Sequence, residues 1–152
     1  MSPNMKAFLD TIAWSELGDK LQALSDRGYN VCVGSTPAAP ILFKSYAGHP
    51  MIRCKALNSD AAGRYQFMGR YWPHYRKQLN LPDFGPASQD TWAIQLIREC
   101  RALEHVEAGR FEMAVARCSS RWASFPGAGY GQPEHSIDAL RKQFVRFGGV
   151  LA

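Results

Sequence analysis

"AFLDTIAWSELGDK", residues 7–20, carries apolar side chains at helical spacing and an acid on the same stripe. Met5, Phe8, Leu9, Ile12 and Ala13 recur at i, i+3, i+4, i+7 and i+8, the pattern of a helix with one face in a core. Ser2 is placed to cap the first turn, Pro3 suits the first helical position, and Gly18 offers a stop. Glu16 follows Ile12 by four residues and Leu9 by seven, so it continues the apolar face, whereas Asp10 points away from it. A carboxyl at the rim of such a face loses hydration, which disfavours the charged form and raises its pKa. That property suits a general acid. The same residue in a last helical turn can instead curl into solvent or pair with Lys20, and the helix alone leaves both readings open.

Around this helix the bulk numbers describe one ordinary domain over residues 1–152, with 46% apolar and 12% aromatic content to build a core. No apolar run approaches the roughly 18 residues of a membrane span. The N-terminus lacks the basic start and apolar stretch of a secretory signal, so synthesis in the cytoplasm is the expectation. The net charge of +5 favours anionic partners, but the basic residues are dispersed, with modest clustering at Arg141, Lys142 and Arg146. Without a basic run interleaved with aromatics, zinc-finger spacing or a recognition helix, nucleic-acid binding is not expected. Cys32, Cys54, Cys100 and Cys118 lie far apart, with no C-x-x-C pair and no His at ligand spacing. A metal site is therefore not expected. Free thiols are the default, a Cys32–Cys54 bridge is the alternative, and Cys100 falls on an apolar stripe with Trp92, Leu96, Ile97 and Leu103.

Past the first helix, "DRGYNVCVG" (26–34) gives a glycine turn and an alternating run that sets Tyr29, Val31 and Val33 on one face. "STPAAP" turns the chain into "ILFKSY" (41–46), so residues 28–46 predict a small hairpin. From His49 to Arg64 no periodicity emerges, and "NSDAAG" reads as an exposed loop. Pro73 is placed to open a helix through "HYRKQL", and "LPDFGP" breaks it. Ser88 is a candidate cap for a helix over 89–103, with Asp90 in the first turn. "FEMAVARCSSRWA" (111–123) predicts another helix, and "FPGAGYGQP" (125–133) a shaped loop. His135 or Ser136 begins a last helix with the stripe Ile137, Leu140 and Phe144, stopped by Gly148 and Gly149. Trp72, Trp92 and Trp122 keep helical company and read as core. The sum is an α+β domain, mainly helical with one small antiparallel β-sheet region.

"KAFLDTIAWSE", "AGRYQF", "YRKQLNLPDFGPASQD" and "RCSSRWASFPGAGYGQPEH" occur in this order, and the chain resembles the lambda-type phage endolysins over roughly residues 6–148. Four linked motifs are far more specific than any one alone. The resemblance implies a lysozyme-like fold beside an active-site groove and a lytic transglycosylase acting on peptidoglycan glycan strands. The Glu of "AWSE" is the catalytic acid of that family, which is Glu16 here. "GRYQ" resembles the family's substrate-lining Gly-x-x-Gln segment, implying substrate-binding roles for Gln66 and, beside it, Tyr65. "GAGYGQ" resembles one lip of the groove and makes Tyr130 and Gln132 candidate glycan contacts, with residues 51–62 forming the other lip. The stretch 17–28, beginning "LGD" after the acid, departs from the family pattern.

Most glycosidases use two carboxylates. Asp19 lies past Gly18, while Asp26 stands at an interval that resembles the second acid of hydrolytic phage lysozymes, and a muramidase using Asp26 and water is the rival reading. The lambda-type resemblance implies one acid only, with the muramic acid C6 hydroxyl as nucleophile and a 1,6-anhydromuramoyl product. It also implies no metal or cofactor, a monomer, and release to the wall through membrane holes made by a holin-type partner. A non-catalytic wall-binding or nucleic-acid-binding module is the remaining alternative.

Overall fold

The computed structural model describes residues 1–131 and 133–152. Its elements in chain order are α1 (Pro3–Ala23), a single 3-10 turn (Gly69–Tyr71), α2 (Trp72–Gln78), α3 (Pro86–Glu99), α4 (Leu103–Glu107), α5 (Phe111–Cys118) and α6 (Ile137–Arg146). The chain divides into two compact units, one of Met1–Glu16 with Ala93–Ala152, the other of Leu17–Trp92. The boundaries fall inside α1, directly after Glu16, and inside α3, after Trp92.

In the first unit α1 starts as its sequence requires: the Ser2 hydroxyl accepts from the Met5 amide at 3.0 Å, and Pro3 opens the helix. Met5, Phe8, Leu9, Ile12 and Ala13 are all buried. Phe8 meets Phe111 and Phe125 edge-on at 6.0 and 6.3 Å, and Phe111 lies against Phe144 of α6. The last helix takes Ser136 as its N-cap, which accepts from the Ala139 amide. It closes through Gly148, at φ +93°, with the Gly148 and Gly149 amides returning to Val145 and Phe144 carbonyls.

Gly18 interrupts α1 where the sequence offers a stop. The helix continues to Ala23 across a kink, with Gly18 at φ 76°, ψ 166°, a conformation essentially reserved for glycine. Two other expected helices are shorter than their periodicity predicts. The 89–103 stripe is divided between α3 and α4 by Arg101 at φ +56°, and "FEMAVARCSSRWA" ends at Cys118, where Ser119 turns its hydroxyl onto the Ala116 carbonyl. Ser88 is not the cap of α3: the helix begins at Pro86, and Ser88 donates to Asp83, whose carboxylate also takes the Gly85 amide.

The second unit corrects the expected sheet. Among the described residues there are no extended strands, only isolated antiparallel bridges, among them Val31 with Leu42, Cys32 with Ala62, and Ala62 with Phe67. The segment 31–33 still lies between the other two, since Cys32 N donates to Ile41 O, Val33 N to Ala61 O and Gly63 N to Val31 O. Pairing cannot extend because turns close each segment within a few residues, at Gly34, Gly63 and Gln66, all at positive φ, and Pro37 and Pro40 bring no N–H. Behind these bridges sits an aromatic core in which Phe67 stacks on Trp92 at 4.0 Å, with Trp72, Tyr75 and Phe84 around them. The three tryptophans read as core are buried. All four cysteines are free thiols, so Cys32 and Cys54 are not bridged.

Candidate active site

Glu16 ends the first unit's share of α1, one turn past Ile12. Part of the residue stays accessible. Its carboxyl is nevertheless desolvated, and burial pushes it up from 4.5 to about 7, with the Ser124 hydroxyl pulling the other way. Ser124 donates to Glu16 Oε1 at 3.0 Å, and Ser15 Oγ stands 2.9 Å from Ser124 Oγ. A carboxyl held near neutrality can give a proton at neutral pH and then take one back. Among the described residues, burial and the Ser124 hydroxyl are the causes of this shift, and Lys20 is exposed.

The loop after Trp122 supplies Ser124 and then the glycine-rich turn. Glu134 holds that turn, its two carboxylate oxygens taking the Gly127 and Gly129 amides at 3.0 and 3.1 Å. Tyr130 is 57% exposed, and its phenol donates to the Ser120 carbonyl at 2.6 Å. The ring is thus presented to solvent by a braced loop. Gln132, the other contact implied for this lip, lies outside the described residues.

The "GRYQ" segment belongs to the second unit. Gln66 has φ +54°, a strained value for a non-glycine residue, and its side-chain amide donates to Gly63 O at 2.8 Å and Val31 O at 3.3 Å. Its amide nitrogen therefore ties the turn to the neighbouring segment. Tyr65 is only 1% exposed; its ring packs with Tyr29 and Phe67, and its phenol donates to Asp90 at 2.6 Å. Tyr29 donates to the same carboxylate oxygen. Burial, followed by the Asp90 charge, pushes the Tyr29 phenol up to about 12 and Tyr65 in the same direction, which keeps both as hydrogen-bond donors. Gln89, fully buried, accepts from the Arg64 amide and donates to the Tyr29 and Phe84 carbonyls. A Cβ on Gly63 would come within 2.4 Å of its Oε1, so Gly63 is required for that close approach.

Asp26, the rival second acid, is exposed in the second unit. It accepts from the Tyr46 phenol at 2.7 Å and lies 3.9 Å from Arg27 Nε.

The chain matches the Endolysin family over residues 6–151. It belongs to the endolysin family. This endolysin is 48% identical to the endolysin of Escherichia phage P2, with 98% of this chain and 95% of that one covered. It is 47% identical to the endolysin of Escherichia phage lambda, covering 96% and 92% respectively. Its fold superposes with a TM-score of 0.89 on bacteriophage lambda lysozyme complexed with a chitohexasaccharide, at 43% identity over 100% of this chain and 98% of that one. The endolysin therefore has the lysozyme-like, mainly helical architecture that its motifs imply.

Sequence reasoning did not single out Ser124 and Glu134, the partners of Glu16 and of the glycine-rich turn, the nearby His135, or Gln89 beneath the Gly63 turn. The first three lie inside "RCSSRWASFPGAGYGQPEH", and Gln89 inside "YRKQLNLPDFGPASQD", so the motifs held the signal without assigning roles.

Proposed function

We propose that the endolysin degrades peptidoglycan by cleaving the β-1,4 bond between N-acetylmuramic acid and N-acetylglucosamine, forming 1,6-anhydromuramoyl ends. The observation that carries this is one carboxyl, Glu16, buried enough to be protonated near pH 7 while anchored on a hydroxyl. Glu16 donates its proton to the bridging oxygen as that oxygen parts from the anomeric carbon. The resulting carboxylate stabilises the oxocarbenium-like charge. It then takes the proton of the muramic acid C6 hydroxyl as that oxygen bonds to the anomeric carbon. Glu16 is thereby reprotonated and no water is consumed. The intramolecular hydroxyl competes with solvent through its high effective concentration.

Membership in the endolysin family, and the sugar bound to the lambda lysozyme relative, support a glycan strand as substrate. The one-acid route rests on the family resemblance, while Asp26 accepts from Tyr46 and lies 3.9 Å from Arg27 Nε. In this reading Tyr130 offers its exposed ring to the glycan, and Gln66 lines the path of the reacting sugar with its turn held by Gly63 and Val31. Release to the wall through holes opened by a holin-type membrane protein completes the proposal.

Digestion of walls in oxygen-18 water, followed by mass analysis of the early muropeptides, tests the chemistry. Unlabelled muramic ends, lighter by one water than hydrolytic ends, are the expected product. Labelled, reducing ends would assign the reaction to a water-using muramidase.

A further inference from the structure

Glu16 is not held by a single hydroxyl but by a chain of two. Ser124 Oγ lies 3.0 Å from Glu16 Oε1, Ser15 Oγ lies 2.9 Å from Ser124 Oγ, and Ser15 Oγ lies 2.9 Å from the Ile12 carbonyl. Both serines are buried, at 6% and 9% exposure. Their backbones share a clamp: the His135 amide donates to Ser124 O at 2.8 Å, and His135 Nε2 lies 3.1 Å from Ser15 O. A carbonyl can only accept, so that nitrogen carries a hydrogen. The His135 ring also rests on Trp14 at 4.6 Å.

The chain has two hydroxyl protons for three links. The Ile12 carbonyl and an ionised Glu16 can only accept, so both cannot be served while the serines also bond each other. With Glu16 ionised, Ser124 must donate to Oε1, and Ser15 turns from Ile12 to donate to Ser124. With Glu16 neutral, Ser15 returns to Ile12 and Ser124 can donate to Ser15. We propose that Ser15 and Ser124 are positioning residues whose hydroxyls reorient with the charge of Glu16, so that Oε1 is the anchored oxygen of the carboxylate and Oε2 is left to exchange its proton with the sugar. Two aligned hydroxyls polarise one another, so the chain stabilises the carboxylate more than Ser124 would alone. This rests on the reading of Glu16 as the acid and base above.

The test is direct titration of Glu16 in the full chain by carbon-13 NMR of its carboxyl, in Ser124→Ala, Ser15→Ala and the double variant. The titratable groups to follow beside it are His135, which bonds Ser15, and the exposed Asp19 and Lys20 on α1. Losing a hydrogen bond to a charged group predicts a rise of about one pH unit in Ser124→Ala. A smaller rise is expected in Ser15→Ala, and the double variant should match Ser124→Ala because the outer hydroxyl acts only through the inner one. In turnover, Ser124→Ala should lower kcat about tenfold with little change in KM, and its alkaline limb should move to higher pH. Ser124→Thr, which keeps the hydroxyl, should restore both. An unmoved Glu16 titration in folded Ser124→Ala overturns the proposal, and additive rises in the double variant overturn the chain. If Ser124→Ala does not fold, Ser15→Ala decides by its own shift, an unmoved Glu16 counting against the proposal. Full activity in Glu16→Gln would instead remove the underlying assignment and leave the titration result standing.

Discussion

Replacing Glu16 by Gln should separate its chemical role from its cost to folding. Gln cannot donate a proton, so turnover of walls should fall by at least about 100-fold, measured as kcat on purified sacculi. The stability change should have the opposite sign. Burial raises the folded-state carboxyl from 4.5 to about 7, so between those values the folded chain binds a proton that the unfolded chain has released. Stability therefore falls as pH rises through that window and is flat below it. Glu16→Gln should be more stable than the parent at pH 8, by on the order of 2–3 kcal/mol, and should converge with it near pH 4. Denaturant unfolding at the two pH values measures this, and a Gln variant less stable at both would show that the carboxyl is not penalised by burial. That Glu16 lies on the buried face was legible in the stripe Leu9–Ile12–Ala13. Its partner was not: Ser124 is separated from it by 108 positions, and no local pattern records a contact at that range. Asp90 has the same history, since a first-turn acid reads as a helix-dipole charge while its oxygen collects the phenols of Tyr29 and Tyr65.

Among the elements, α1 is defined as much by its kink as by its stripe. Gly18 has open space where a Cβ would stand, so the requirement there is conformational and not steric. Gly18→Ala should lose about 1–3 kcal/mol in denaturant unfolding, or straighten the helix just past Glu16 and reduce activity with it. A variant equal to the parent in both would remove the kink from the account. The glycine-rich turn depends on Glu134, which serves two of its amides. Glu134→Ala should strip hydrogen-exchange protection from Gly127 and Gly129 while leaving α6 protected, because Ser136 caps that helix independently. Periodicity located most of the helices because each buries a continuous face. It overran α3 and α5 because Arg101 and Ser119 end them through backbone and hydroxyl geometry that an apolar stripe does not encode. The hairpin was legible as neighbouring segments but not as strands, since tight turns at positive φ interrupt the pairing.

At the scale of the whole molecule the informative quantity is charge. Lys and Arg number 18 against 13 Asp and Glu, giving +5, and no basic run concentrates the surplus. A dispersed positive surface acts through long-range attraction, which steers the protein toward an anionic polymer without forming a specific ion-pair site. Peptidoglycan stem peptides carry carboxylates, whereas short chitin oligomers carry no charge. Raising the salt from about 0.05 to 0.5 M shortens the screening length from over 10 Å to under 5 Å. On intact walls kcat/KM should therefore fall several-fold across that range with kcat nearly unchanged, because the loss lies in encounter and not in proton transfer by a buried carboxyl. Binding of an uncharged chitin oligomer, followed by tryptophan fluorescence or calorimetry, should stay constant over the same salt series. A kcat/KM on walls that is flat with salt would show that the +5 charge plays no part in finding the substrate. A parallel decline for the neutral oligomer would place the salt effect on the folded protein itself.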